Sequence, residues 1–185
     1  MNITVYLGSS AGNVPYLCAA AAELGGFIAD SGDTLIYGGS KSGLMGILAE
    51  SALGRGGKVI GIEPQVFIDA GYLYDAVTEL IVTKNMTERK TKMIEMGDAF
   101  IAFPGGTGTL EEISEVMSLV SLRWLDAPCI LYNLNGYYEG LRTLLEKMKE
   151  TGLSSEEKLN GIYFADSLSE IKQIIADLRK RTNVN

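Results

Sequence analysis

Residues 99–112 read Ala99-Phe100-Ile101-Ala102-Phe103-Pro104-Gly105-Gly106-Thr107-Gly108-Thr109-Leu110-Glu111-Glu112. A short apolar run meets a proline–glycine turn, and a helical pattern follows from about Thr109 to Trp124. This is one strand–turn–helix unit, and it recurs outward along the chain. Ile3 to Leu7 ends in Gly8-Ser9-Ser10 and leads into a helical stretch from about Val14 to Ser31. Thr34 to Tyr37 ends in Gly38-Gly39 and leads into a helix from Gly43 to about Arg55. Lys58 to Ile62, Thr78 to Val82 and Cys129 to Tyr132 are further strand-like runs. Helical patterns cover about Asn85–Met96, Tyr137–Thr151 and Ser167–Arg181. Glu63 to Ala76 shows no clear period and reads as a loop over one edge.

Strands that alternate with helices, and that are apolar nearly throughout, belong in a parallel sheet covered on both faces. The expectation is an α/β fold, Rossmann-like and doubly wound, with a mostly parallel sheet of about six or seven strands. A length of 185 residues fits a single domain over 1–185. No linker, repeat or low-complexity tract interrupts it.

Composition narrows the chemistry. Lys plus Arg is 16 against 23 for Asp plus Glu, a net charge of -7. Such a chain is unsuited to wrapping a nucleic-acid backbone, although it can hold one small anion locally. There are no histidines. That removes Ser-His-Asp and Cys-His catalysis and every His-ligated metal site. The two cysteines, Cys18 and Cys129, each sit in an apolar stretch and read as small buried hydrophobes of a reducing compartment. MNITVYLGSS has no basic region ahead of its short apolar run, and no stretch is long enough to span a membrane. A cytoplasmic location without membrane attachment is expected.

Gly8, Gly38-Gly39 and Gly105-Gly106-x-Gly108 each follow a strand, so all three clusters fall at carboxyl ends, where ligands bind in doubly wound sheets. A helix starting from such a turn offers free backbone N–H groups to a phosphate. Neither GxGxxG after the first strand nor GxxxxGK[ST] is present, so neither the dinucleotide fingerprint nor a Walker loop is available.

Thr109 to Glu112 supports two readings. Thr109 could cap the helix with Glu112 completing a capping box. Alternatively, Glu112 acts in a cleft: it shares a helical column with apolar Val116 and Leu119, whereas Glu111 shares one with Glu115 and Ser118. A carboxylate on an apolar column beside a glycine turn suits charge stabilisation. The helix from Asn85 interposes Arg89 and Lys90 between Met86 and Met93. A cation between apolar anchors either snorkels to water or seeks an anion, and here that anion is Glu112, a ligand phosphate or both.

The block Pro104-Gly105-Gly106-x-Gly108-Thr109-x-x-Glu112, with Met86-x-x-Arg89-Lys90, Tyr37-Gly38-Gly39-x-x-x-Gly43-Leu44-Met45-Gly46, Gly8-Ser9-Ser10 and Asn135-Gly136-Tyr137-Tyr138, resembles the Lonely Guy (LOG) family of cytokinin riboside 5′-monophosphate phosphoribohydrolases. Order and spacing agree from residue 1 to about 152. The resemblance implies hydrolysis of the N-glycosidic bond of a nucleoside 5′-monophosphate to free base and ribose 5-phosphate. It implies Arg89 and Glu112 as the catalytic pair. Phosphate and ribose contacts would come from Gly8, Ser9, Gly38, Gly39, Met86, Lys90, Gly105, Gly106, Thr107, Gly108, Thr109 and Glu111, with Ser118 lining the site. No metal or cofactor is expected, and the implied partner is a second copy in a homodimer. The apolar residues spread round Ile113–Leu125 point to the same assembly.

The chain departs from the family's common pattern at Thr87, Thr107, Ser40 and Gly71, where relatives often carry His, Tyr, Gly and Glu. These positions alter the pocket wall and spare the catalytic pair. The expectation is an obligatory 5′-phosphate and a loosely read base. Two alternatives stand beside the hydrolase: a carrier of a nucleotide or phosphorylated cofactor without turnover, and a lysine decarboxylase, for which the sequence offers no pyridoxal phosphate motif.

Overall fold

The computed structural model describes residues 1–182. Seven strands form one sheet: β1 (Asn2–Tyr6), β2 (Thr34–Tyr37), β3 (Lys58–Pro64), β4 (Glu79–Thr83), β5 (Ala99–Ala102), β6 (Cys129–Tyr132) and β7 (Ile162–Ala165). Their spatial order is β4-β3-β2-β1-β5-β6-β7, and every neighbouring pair is parallel. The strand side chains alternate between two cores. Ile3 and Val5, Leu35 and Tyr37, Ala99 and Ile101, Ile130 and Tyr132 point to one face. Tyr6, Ile36, Phe100, Ala102, Cys129 and Leu131 point to the other. Helices α1 (Pro15–Asp30), α2 (Gly43–Gly54) and α8 (Leu168–Thr182) cover the first face. On the second lie α4 (Met86–Met96), α5 (Thr107–Ser121) and α6 (Glu139–Glu150).

The expected α/β fold is thus present, with a fully parallel sheet. The six apolar runs read from the sequence are β1 to β6, and β7 is an addition. Three of its four residues are only half-buried, as an edge strand allows, so Ile162–Ala165 lacks the dense apolar signature of the inner strands. The stretch read as a loop from Glu63 holds the end of β3 and a short helix, α3 (Gln65–Asp69); another short helix, α7 (Glu156–Leu159), precedes β7.

The chain winds from β1 out to β4, returns past β1 to β5, and continues to β7. Strand order therefore reverses between β1 and β5, and their following loops part at that point. A Cβ placed on Gly8, after β1, would lie 3.7 Å from the Cα of Gly105, after β5. Because all strands run the same way, Gly8, Gly39 and Gly106 share one rim.

Candidate active site

A cavity of about 520 Å³ opens at this rim, a size suited to a nucleotide. Gly8 and Ser9 line it from the turn after β1, Gly38 and Ser40 from the turn after β2, and Gly106 to Thr109 from the start of α5.

Helix α5 begins two residues earlier than the sequence suggests. Its N-cap is Gly106, which has no side chain to offer, and Thr109 sits buried within the first turn. The capping-box reading of Thr109 and Glu112 is therefore not realised. A related arrangement occurs on α4 instead: Asn85 accepts from the Glu88 N–H at 2.9 Å, and Glu88 accepts from the Lys84 N–H at 2.8 Å. With Leu110 donating to the Gly106 carbonyl, the N–H groups of Thr107, Gly108 and Thr109 precede the first intrahelical bond. Thr107, Gly108 and Thr109 line the cavity at the positive end of the helix dipole.

Arg89 and Glu112 lean in from α4 and α5. Each is only 7% exposed, which excludes a snorkelling arginine. Arg89 Nη1 donates to Glu112 Oε1 at 2.9 Å, and Arg89 Nε donates to the Ile62 carbonyl at 3.0 Å, at the end of β3. Met86 Sδ lies 3.9 Å from Nη1 and borders the cavity. A guanidinium has five donors, so Nη2 remains over Gly38, where an added Cβ would stand 1.9 Å from it. Burial raises the Glu112 carboxyl above its ordinary value, and the Arg89 guanidinium opposes that rise. The pair presents a fixed carboxylate and a fixed cation to one cavity.

The glycine pair after β2 has a steric explanation on both sides. Gly38 admits the Arg89 guanidinium. Gly39, at φ +83°, admits Glu63: an added Cβ would lie 2.8 Å from Glu63 Oε2. Glu63 lines the cavity, is 3% exposed, and its Oε2 has no hydrogen-bond partner. Burial raises its carboxyl to about 7, with Arg89 pulling the other way. Sequence reading missed this residue by treating Glu63 as the first residue of a loop. The available signal was a carboxylate at the carboxyl end of a parallel strand.

Four expected contacts fall outside the cavity lining. Gly39 supports Glu63. Gly105 packs between Thr109 and Gly8: an added Cβ would sit 2.2 Å from Thr109 Oγ1. Ser118 is exposed farther along α5. Lys90 is held by Glu111 and, at 3.1 Å, by Glu115, and these bonds push its ammonium above the ordinary lysine value. Glu111, exposed and paired in this way, still borders the cavity. Gly71, where relatives often carry Glu, is an exposed turn residue at φ +82°. The Asn135–Tyr138 segment buttresses the turn after β5: Tyr138 Oη donates to the Phe103 carbonyl at 2.8 Å and Tyr137 Oη donates to the Gly105 carbonyl.

A family model described as "Possible lysine decarboxylase" matches residues 45–175. Cytokinin riboside 5′-monophosphate phosphoribohydrolase LOG1 of Arabidopsis thaliana is 37% identical, over 95% of this chain and 82% of its own. The phosphoribohydrolase of that description from Rhodococcoides fascians is 42% identical, over 78% and 74%. The chain belongs to the LOG family. Among solved structures, the molybdenum cofactor binding protein of Rippkaea orientalis is 26% identical, with a TM-score of 0.71 over 96% of both chains. A molybdenum cofactor carrier protein of Chlamydomonas reinhardtii, at 24% identity and a TM-score of 0.69 over 95% and 98%, shares the fold. The decarboxylase wording does not suit this LOG-family cavity. A pyridoxal phosphate enzyme needs a lysine to hold the cofactor, and no lysine is among the described residues lining the cavity.

Proposed function

We propose that this protein hydrolyses the N-glycosidic bond of a nucleoside 5′-monophosphate, releasing the free base and ribose 5-phosphate. The observation that carries the reading is the buried Arg89–Glu112 pair facing the same cavity as the N-terminus of α5. The names of the LOG relatives support it.

The chemistry follows from the parts. The 5′-phosphate docks on the N–H groups of residues 107–109, where the helix dipole favours an anion. Cleavage builds positive charge on the ribose ring, as in glycoside hydrolysis. Glu112, hydrogen-bonded to the Arg89 guanidinium, stabilises that charge and orients a water toward C1′. Arg89 fixes Glu112 and offers Nη2 to the ribose phosphate. No residue needed for this sequence is a histidine.

Adenine release followed by chromatography tests the reading. AMP is expected to be cleaved, and adenosine, which lacks the anion, to react much more slowly. Equal rates would contradict the phosphate assignment. Similarity to the Rippkaea protein favours a second reading, a carrier of a phosphorylated cofactor without turnover. Absence of base release from every nucleoside monophosphate would favour the carrier. A homodimer in the cytoplasm is part of the proposal, supported by the family resemblance and by exposed Leu122 and Trp124 after α5. Among the described residues no helix is long and apolar enough to cross a membrane.

A further inference from the structure

A second carboxyl stands in the same cavity, and the mechanism above gives it no task. Glu63, the penultimate residue of β3, lines the cavity and packs against the backbone at Gly39. Its Oε2 is shut off from water and meets no donor in the protein. A buried acceptor without a partner is costly as an anion, and carrying a proton lowers that cost. Other groups face it from each packed element. Arg89 comes from α4. The Tyr37 hydroxyl comes from β2, also without a partner and pushed above its ordinary value by burial and by Glu63. Tyr72 comes from the loop after α3, and Glu111 and Glu112 of α5 line the same cavity. Met45 and Phe67 add apolar wall beside Glu63, a surface for a planar ring.

We infer that Glu63 is the general acid that protonates the leaving base, an inference that rests on the hydrolase reading. As the C1′–N bond breaks, its electron pair moves onto the base. The Glu63 O–H bond breaks and an N–H bond forms at a ring nitrogen, N7 in a purine, so the base leaves neutral. A water captures the ribosyl cation and releases its spare proton to solvent. The Glu63 carboxylate then takes a proton back from solvent. The two carboxyls divide the labour by environment. Glu112 is tied to the Arg89 guanidinium at 2.9 Å, whereas Glu63 Oε2 meets no donor and burial raises its carboxyl to about 7. A carboxyl paired with a cation suits charge stabilisation, and one enclosed without a donor suits proton donation.

Leaving-group dependence tests this. AMP needs its base protonated, whereas 4-nitrophenyl ribofuranoside 5-phosphate expels a stable phenolate without help. Glu63→Gln should lose on the order of 10²-fold or more in kcat/KM on AMP and cleave the nitrophenyl substrate at close to the wild-type rate. Wild-type kcat/KM on AMP should fall as pH rises through about 7, where Glu63 loses its proton, and the nitrophenyl substrate should not show that fall. Equal losses on both substrates would make Glu63 structural and overturn the inference, as would unchanged AMP hydrolysis by the variant. The wild-type comparison needs no variant to fold, and identical alkaline limbs on the two substrates would also overturn it. A wild-type protein inert on both substrates would end the hydrolase reading itself, a result distinct from any of these.

Discussion

Three charged side chains, Arg89, Glu112 and Glu63, carry the account at the residue scale, and the sequence disclosed them unequally. Arg89 and Glu112 stood out because each breaks an apolar column of a helix, and burial of both confirms that the columns face inward. Glu63 was hidden. In Ile62-Glu63-Pro64 the strand pattern ends, and a polar residue there reads as loop, so only its close approach to Gly39 in the turn after β2 reveals it as enclosed. Its enclosure has a consequence for stability. The folded-state value near 7 lies above the ordinary 4.5. The native state therefore binds the proton more tightly than the unfolded chain. That contribution is fully present below about 4.5 and is lost as pH rises through about 7. The full gap corresponds to about 3 kcal/mol. Wild type should lose stability relative to Glu63→Gln between pH 4.5 and 7.5 in denaturant titrations. Parallel stability curves for the two proteins would contradict the buried, proton-holding state of Glu63.

Elements place these residues. Helices α4 and α5 lie on the same sheet face, so their first turns converge on the rim at the point where strand order reverses. The order of β1 to β6 and of the longer helices was legible from alternation of period, although β7, α3 and α7 were missed. Helix ends were not. Helix α5 was expected to reach Trp124 but ends at Ser121, because Arg123 turns to φ +59° and its guanidinium bonds the carbonyls of Glu157 and Asn160. Its start shifted because Gly106 caps by backbone geometry, which no side-chain pattern signals. The turn before α5 offers a test at this scale. In Gly105→Ala the new Cβ must displace Thr109 Oγ1 and crowd the Gly8 N–H, 3.1 Å away. Overpacking of this kind costs about 1–3 kcal/mol. It also moves the proposed phosphate-binding N–H groups, so KM for AMP should rise alongside a lower melting temperature. Unchanged KM and melting temperature would show that this contact does not position the helix start.

The whole molecule is one parallel sheet covered on both faces, with the cavity at the rim of its carboxyl ends. Leu122 and Trp124, 53% and 77% exposed, put two large apolar side chains on the surface beyond α5. Exposed apolar side chains that group on one surface mark a site of association. Light scattering at micromolar concentration should give twice the mass of one chain, and Trp124→Glu should shift it to a monomer. A monomeric wild type would contradict the dimer. The central claim, that a carboxylate anchored by Arg89 at the start of α5 performs glycosidic hydrolysis, is tested most directly by adenine release from AMP by purified Glu112→Gln beside wild type, with melting curves for both. Gln keeps an acceptor for Arg89 and removes the charge. The predicted result is a folded variant whose release falls by on the order of 10²-fold or more. Near-normal release by a folded Glu112→Gln protein would contradict the claim.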